Sequence, residues 1–272
     1  MDRRTFLGTI TAATVLGSRM SWAAENHKLD EVGVQLYSVR DLMKQDFEGT
    51  LAKVAGIGYR EVEFAGLFDH PAQDVRKMLD RNGLTAPSAH IPYKTIESDF
   101  PKALETSHTL GQSYIVCPFI DEEMRTPDGW KRITDTFNRV AQDSKKAGIQ
   151  FAYHNHDFEF KADQGQMLYD TLLKNTDANL VKMEMDLFWI TKARQDPLTY
   201  FSRYPGRFPL VHVKDMTKDG EMTEVGSGTI DFKKIFADSK AGIKHYFVEH
   251  DNPKDPLQSI KASYEYLSKL RF

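Results

Sequence analysis

The feature that most constrains the fold is a repeat of eight short apolar segments, each followed by a polar loop and an amphipathic stretch. The segments begin roughly 30 residues apart, which is about the length of one strand–helix unit. They run from Val32 to Ser38, Tyr59 to Ala65, Leu84 to Ile91, Ser113 to Pro118, Gln150 to His156, Val181 to Phe188, Pro209 to Asp215 and His245 to Asp251. Strand–helix alternation of this kind predicts an α/β fold with a parallel sheet.

Capping residues mark the ends of the predicted helices. A glycine stands before five of the apolar segments, where a left-handed C-terminal cap is expected: Gly58, Gly83, Gly111, Gly148 and Gly242. A capping side chain precedes a first-turn proline at Thr126-Pro127, Asp196-Pro197 and Asp255-Pro256. Eight units in about 245 residues predict a single (β/α)8 TIM barrel. An open doubly wound sheet is the alternative, but it usually carries a GxGxxG or GxxxxGK[ST] turn, which this sequence lacks.

The first 23 residues predict a targeting segment that precedes the barrel. The motif RRTFL at 3–7 resembles the twin-arginine export motif, and a mildly apolar run and the small-x-small sequence SWA at 21–23 follow it. We therefore expect residues 1–23 to be a twin-arginine signal peptide, residues 29–272 to form the barrel, and the twin-arginine export machinery to deliver a periplasmic protein. The apolar run is too short for a stable membrane anchor. The alternative is an amphipathic N-terminal helix of a cytoplasmic protein.

Charge and cysteine content restrict the classes of function. The chain has a formal net charge of −3, and removal of a segment with three arginines and one aspartate leaves −5. We therefore expect no nucleic-acid partner, since phosphate backbones require a basic surface. The single cysteine, Cys117, cannot form an internal disulfide.

Ionisable residues concentrate at the predicted strand ends, where (β/α)8 barrels place their active sites. Most come in pairs two residues apart, which puts both side chains on the same face of a strand. In chain order the ends carry Gln35 and Tyr37, Glu61 and Glu63, Ser88 and His90, Cys117, His154 and His156, Glu184 and Asp186, His212 and Lys214, and Glu249 and Asp251. A single histidine on a strand can be a hydrogen-bonded core residue. Together, these imidazoles and carboxylates predict one bound divalent metal, with Mn²⁺, Mg²⁺, Co²⁺ and Zn²⁺ as candidates.

Seven short motifs are spread along the predicted mature chain. They are GVQLYS at 33–38, GYREVE at 58–63, AYHNHDFEF at 152–160, DLFW at 186–189, VHVKD at 211–215, GSGTID at 226–231 and VEHD at 248–251. Their order and spacing resemble the xylose-isomerase-like TIM-barrel family of sugar (phosphate) isomerases and epimerases. The resemblance implies the same barrel that the periodicity predicts.

The resemblance also implies roles for particular residues. Ketose epimerases of this family bind one divalent metal through residues on strands five to eight, and Asp186, His212 and Glu249 match three of these positions. The fourth position, a glutamate in those enzymes, is His154 here, so the implied metal ligands are His154, Asp186, His212 and Glu249, or the last three alone. Because those epimerases use the strand-five glutamate as one of two bases, a two-glutamate epimerisation lacks one of its partners in this chain.

The chemistry of proton removal next to a carbonyl assigns further roles to residues at the strand ends. Glu249 is the expected catalytic base, and His156 and Lys214 are the expected catalytic partners that return the proton or stabilise an oxyanion. Expected substrate contacts come from four residues: Glu63, His90, Trp189 and Lys214.

The predicted activity is that of a metal-dependent sugar isomerase or epimerase. It would abstract a proton next to a carbonyl of an unphosphorylated sugar or keto-sugar, with a small-molecule carbohydrate as partner. Two alternatives stay open: a metal-dependent lyase or dehydratase acting on keto-glycosides or inosose-like substrates, and a non-catalytic periplasmic sugar-binding barrel. A homo-oligomer is compatible with all three.

Overall fold

The structure is a computed structural model that describes residues 27–163 and 166–272. The predicted signal peptide lies outside the described residues. Within them, no helix combines the length and the apolar composition that a membrane span requires.

Eight parallel strands close into a barrel in which each strand pairs with its neighbours in chain order and the last pairs with the first. The strands are β1 (Gly33–Gln35), β2 (Glu61–Phe64), β3 (Thr85–His90), β4 (Tyr114–Cys117), β5 (Gln150–His154), β6 (Val181–Asp186), β7 (Leu210–Val213) and β8 (His245–Val248). Each lies within one of the eight predicted segments. The predicted (β/α)8 barrel is therefore confirmed, although the strands are shorter than the apolar segments because several segments continue into a loop or a helix.

Helices connect the strands on the outside of the barrel. In the described part they are α1 (Arg40–Gln45), α2 (Phe47–Ile57), α3 (Ala72–Asn82), α4 (Tyr93–Ser98), α5 (Phe100–Leu110), α6 (Pro127–Lys146), α7 (Leu168–Asn175), α8 (Leu187–Lys192), α9 (Pro197–Arg203), α10 (Phe232–Phe236) and α11 (Pro256–Leu267). Three connections contain two helices each. Asp46 separates one such pair, since its carboxylate accepts a hydrogen bond from the backbone N–H of Gly49 and starts α2.

The predicted helix starts are confirmed. The side chains of Thr126, Asp196 and Asp255 each accept a hydrogen bond from a backbone N–H in the first turn of α6, α9 and α11. Each cap satisfies one N–H group that has no partner inside its helix. Together with the glycines after the helices, these caps set the lengths of the strand–helix units.

The core lies between the barrel and the helix ring. Phe137 on α6 is fully buried, and its ring centroid is 5.1 Å from that of Phe151 and 5.5 Å from that of Tyr153, both on β5. Burial of one such side chain contributes about 1.5–3 kcal/mol. This packing holds β5 in place, and with it the histidine at the end of the strand.

Strand register brings the polar strand ends side by side. His154 pairs with Glu184 across β5 and β6, and Asp186 pairs with His212 across β6 and β7. One strand-end assignment is wrong: Glu61 begins β2 and accepts a hydrogen bond from Nδ1 of His245 at 2.9 Å. Because both residues are the first of their strands, this pair lies at the opposite end of the barrel from the site.

Two helix-ending glycines form a matched pair for a stability test. A Cβ at Gly58, where φ is +127°, would lie 2.5 Å from the ring of Tyr264, whereas a Cβ at Gly83, where φ is +63°, meets nothing within 4 Å. We expect Gly83→Ala to lower the free energy of unfolding by about 1 kcal/mol, since it adds backbone strain alone. Gly58→Ala adds steric overlap and should lower it by roughly 3 kcal/mol. Urea denaturation followed by circular dichroism measures both values, and equal losses would contradict the described packing.

Candidate active site and metal centre

A cavity of about 610 Å³ opens at the carboxyl ends of the barrel strands. Its polar lining includes five of the residues predicted from the sequence: His90, His154, His156, Lys214 and Glu249. The cavity therefore lies where the fold predicts an active site.

Two buried glutamates lie beneath the floor of this cavity. Oε2 of Glu184 is 2.7 Å from Nε2 of His90 and 3.2 Å from Nε2 of His212, and it is 3.3 Å from Nδ1 of His154. Oε2 of Glu63 is 2.7 Å from the same Nε2 of His212. Both carboxylates are shielded from solvent, so three imidazole rings supply the polar contacts that water would otherwise make.

The environments of these glutamates shift their pKa values in opposite directions. Burial raises the pKa of Glu184, but His212 and the hydrogen bonds from the surrounding imidazoles outweigh burial and hold it well below its usual range. Burial and the negative charge of Glu184 raise the pKa of Glu63. Two adjacent buried carboxylates resist simultaneous ionisation, and Glu184 is the one favoured in its charged form.

Two further hydrogen bonds hold the carboxylate of Glu63 in place. Its Oε2 accepts a hydrogen bond from Nε2 of Gln35 at 2.8 Å, and its Oε1 accepts one from the hydroxyl of Ser88 at 2.5 Å. Register explains these contacts, because Gln35, Glu63 and Ser88 are neighbours across β1, β2 and β3.

Two imidazoles connect this deep pair to a second group of carboxylates. Nδ1 of His212 lies 2.8 Å from Oε2 of Glu249, on the side of the ring opposite the deep glutamates. Likewise, Nε2 of His154 lies 3.7 Å from Oδ2 of Asp186. Burial lowers the pKa of His212, but Glu184 and Glu249 raise it well above its usual value. Burial, reinforced by His212, lowers the pKa of His154 to about 3.

Lys214 provides a positive charge beside the second group. Its side chain is almost fully buried, and Nζ lies 3.0 Å from Oδ2 of Asp186, 2.5 Å from Oε2 of Glu249 and 2.8 Å from Oδ1 of Asp251. Burial lowers the pKa of this lysine, but the three carboxylates outweigh burial and raise it well above its usual value. The ammonium group therefore stays charged and balances these oxygens.

The residues present fit a divalent metal. Ligand atoms of Asp186, His212 and Glu249 lie within 4.8 Å of one another, and His154 adds a nitrogen beside Asp186. A histidine that binds a metal through one nitrogen commonly donates its other N–H to a carboxylate. His212 and His154 meet this requirement, since their second nitrogens face Glu63 and Glu184. A second group, His90, His154, Glu184 and His212, has the same spacing but uses the nitrogens that face the deep glutamates.

The remaining predicted residues differ in their access to the cavity. Both oxygens of fully buried Glu63 already accept hydrogen bonds from protein groups, so its direct contact with a substrate stays a prediction. Trp189 is on α8, with its ring centroid 5.5 Å from that of His156. Burial, assisted by the charges of His154 and Lys214, lowers the pKa of His156 well below its usual value. His156 is therefore a neutral imidazole.

Sequence reasoning left Glu184, Asp251 and Asp215 without a role. Glu184 stands two residues before Asp186 on the same face of β6, and this spacing was the sequence signal that could have assigned it to the site.

The carboxylate of Asp215 accepts hydrogen bonds from the backbone N–H groups of Gly226, Gly228 and Ile230. It thereby fixes the loop that follows β7, and the adjacent Lys214 is fixed with it.

Comparisons with known proteins agree with this architecture. Residues 51–270 match the family model described as xylose isomerase-like TIM barrel. A solved sugar phosphate isomerase/epimerase from Parabacteroides distasonis superposes with a TM-score of 0.77 at 28% identity, covering 90% of this chain and 97% of that one. An inosose dehydratase from Lacticaseibacillus casei is 25% identical over 82% of this chain and 87% of its own length. An inosose dehydratase from Clostridium beijerinckii is 24% identical over 85% and 90%.

Glu184 provides a test of how the imidazoles are oriented. Glu184→Gln keeps the size of the side chain but puts an amide in place of the charged carboxylate that faces three histidines. We expect the affinity for added Mn²⁺ or Co²⁺ to fall roughly tenfold to a hundredfold, as when an outer partner of a metal-binding histidine is lost. Isothermal titration calorimetry on metal-stripped protein measures the change.

The matched control for this test is Glu61→Gln. Glu61 is also a buried carboxylate that pairs with a histidine, but at the far end of the barrel. Its substitution should leave metal affinity unchanged. Equal affinities for wild type and Glu184→Gln, with both proteins folded, would contradict the orienting role.

Proposed function

The chain belongs to the xylose isomerase-like TIM barrel family, and from this premise we propose that it is a divalent-metal-dependent sugar isomerase or epimerase. It acts on an unphosphorylated sugar or keto-sugar by removing a proton from the carbon next to a carbonyl. The observation that carries the proposal is the group of Asp186, His212 and Glu249, whose ligand atoms converge beside a charged lysine at the floor of a cavity.

In this proposal the metal ligands are Asp186, His212 and Glu249, with His154 as the fourth. A divalent ion bound there would supply Lewis acidity toward a carbonyl or hydroxyl oxygen. A metal held by Nδ1 of His212 and Nε2 of His154 would leave Nε2–H of His212 and Nδ1–H of His154 facing the deep glutamates. Lys214 retains Asp251 as its carboxylate partner.

The proton transfers belong to residues on two walls of the cavity. Glu249 follows β8, and its pKa is held well below the usual range because Lys214 and His212 outweigh the effect of burial. It is therefore ionised and can accept the carbon-bound proton. His156 follows β5 on another wall of the cavity and is neutral, and we assign it the role of the partner that returns the proton or stabilises an oxyanion. The ammonium group of Lys214 donates hydrogen bonds to a substrate oxygen that gains negative charge.

A second candidate function is elimination, as in a lyase or dehydratase that acts on a keto-glycoside or an inosose-like substrate. The observation that favours it is His154, which the resemblance to ketose epimerases aligns with their strand-five glutamate, so that Glu249 is the one glutamate of that pair in this chain. Relatives named inosose dehydratases also support elimination. Both candidates begin with removal of the same proton, and they differ in whether that carbon is reprotonated or a neighbouring substituent leaves.

One experiment separates the two candidates. We expect purified protein with Mn²⁺ to exchange one carbon-bound proton of a keto-sugar or 3-keto-glycoside for deuterium in deuterated water, as followed by NMR. A product that contains solvent deuterium and keeps all its ring substituents identifies isomerisation or epimerisation, whereas loss of a ring substituent identifies elimination. Asp186→Asn should slow the exchange by about a hundredfold or more, because it removes a metal ligand, and elemental analysis should show loss of metal.

Asp196→Asn is the matched control. Asp186 and Asp196 both cap a helix with the side-chain carboxylate, but Asp196 is exposed and outside the cavity. Its substitution should keep both metal and exchange. A wild-type protein that binds sugar in the absence of metal and exchanges no proton would instead be a sugar-binding barrel, which is contrary to the proposal.

We also propose that the protein is exported through the twin-arginine pathway and acts in the periplasm. The motif RRTFL at 3–7 and the cleavage sequence SWA at 21–23 support this proposal. Export of a folded chain suits an enzyme that acquires its metal before crossing the membrane.

Fractionation tests the export proposal. Replacing Arg3 and Arg4 together with lysine should keep the full-length chain in the cytoplasm, because the pathway recognises the arginine pair. Wild-type protein should be found in the periplasm with its N-terminus after Ala23, as measured by mass spectrometry. Arg19→Lys, in the same segment but outside the motif, should be exported normally. Unchanged export of the double variant would contradict the proposed route.

A further inference from the structure

Two exposed aromatic side chains lie at the mouth of the cavity. Among the residues that the structure describes, Tyr37 and Phe119 are the large hydrophobic side chains classed as exposed, at 42% and 40% of their surface. Scattered exposed hydrophobic residues are ordinary on a soluble protein. Here both residues line the same cavity, although they follow different strands, β1 and β4.

Both rings are fixed by a neighbouring arginine. The guanidinium carbon of Arg40 lies 4.1 Å from the ring centroid of Tyr37, and Arg40 donates hydrogen bonds to the carbonyl oxygens of Tyr37 and Asp251 at 2.9 and 2.7 Å. The guanidinium carbon of Arg125 lies 4.8 Å from the ring centroid of Phe119, and its Nε donates to the carbonyl oxygen of Ile120 at 2.9 Å. These contacts restrict the rings before any ligand binds.

The cavity therefore has two chemically different parts. Its floor carries His154, Lys214 and Glu249, which suit a polar, hydroxylated ring. Its rim carries Tyr37 and Phe119, which suit the apolar face of a second ring. A volume of about 610 Å³ lies within the range of roughly 300–1,000 Å³ that is typical of pockets for drug-sized ligands, which exceed a single sugar ring in size.

We propose that the rim is an aglycone subsite and that the substrate is a keto-glycoside, whose ring ketone is the carbonyl next to which the proton is removed. Its reacting sugar ring occupies the floor, and the ring of its aglycone stacks on Tyr37 or Phe119. This inference rests on the proposed function and specifies its substrate class. The aglycone can be a second pyranose or an aryl group. Both present a flat or apolar ring face that is joined to the sugar through a glycosidic oxygen.

Binding of unreactive glycosides tests the subsite without any turnover. The probes are matched pairs of methyl and 4-nitrophenyl glycosides, in both anomers, of glucose, galactose, mannose and xylose, with cellobiose and maltose as two-sugar probes. Isothermal titration calorimetry on wild-type protein, with and without Mn²⁺, gives the affinity ratio within each pair. Nitrophenyl probes report an aryl aglycone, and the disaccharides report a second pyranose.

We expect at least one ring-bearing probe to bind roughly threefold to tenfold more tightly than its methyl partner. Phe119→Ala and Tyr37→Ala should reduce this ratio toward one while leaving the affinity for the methyl glycoside unchanged. Phe119→Leu, which keeps apolar surface but lacks a flat ring, should reduce it partly. The matched control is Tyr204→Ala, since Tyr204 also has an arginine over its ring, with the guanidinium carbon of Arg203 5.3 Å from its centroid, but precedes β7 at the other end of the barrel.

The outcomes of the two proposals are distinguishable. Ratios near one for every pair, or equal losses for methyl and ring-bearing probes in Phe119→Ala and Tyr37→Ala, would overturn the aglycone subsite. If the protein turns over free sugars but its affinity ratios are near one, the subsite is overturned and the enzymatic proposal stands. A ring preference that depends on Phe119 or Tyr37, in a protein that exchanges no substrate proton, would support the subsite and overturn the enzymatic proposal.

Discussion

The site depends on mutual compensation among charged groups that the barrel removes from water. Glu63, Glu184, His212 and Lys214 are all buried, and each lies within hydrogen-bond distance of a group of opposite charge or of a polar donor. An ion buried without such partners costs several kcal/mol, and removal of one member exposes the others to that cost. The cluster therefore behaves as a unit, and substitutions within it affect stability and function together.

This compensation also has a chemical consequence for the imidazoles. His212 lies between Glu63 and Glu184 on one side of its ring and Glu249 on the other, and His154 lies between Glu184 and Asp186. Their ring orientations are thus set by the barrel before a metal or substrate arrives. Lys214 supplies a permanent positive charge on the cavity side, and Asp215 anchors the loop next to it. A preorganised polar site of this kind loses little energy to rearrangement during a proton transfer.

The cavity combines this rigid polar floor with an aromatic rim. Charged groups line the deep part of the cavity, and Tyr37 and Phe119 line its mouth. In the proposed function, the polar contacts would position the reacting ring. The aromatic contacts would then discriminate among substrates by the ring attached to it.

Local patterns in the sequence determined the barrel, because strand–helix periodicity and capping residues such as Thr126 and Asp255 act over a few neighbouring positions. Strand-end placement also predicted that Asp186, His212, Lys214 and Glu249 converge. Only the tertiary structure decided which nitrogen of His212 faces Glu63, a residue 149 positions away, and that Glu61 pairs with His245 at the other end. The reason is physical: alternation along a strand specifies a face, whereas closure and register of the barrel specify the neighbour on that face.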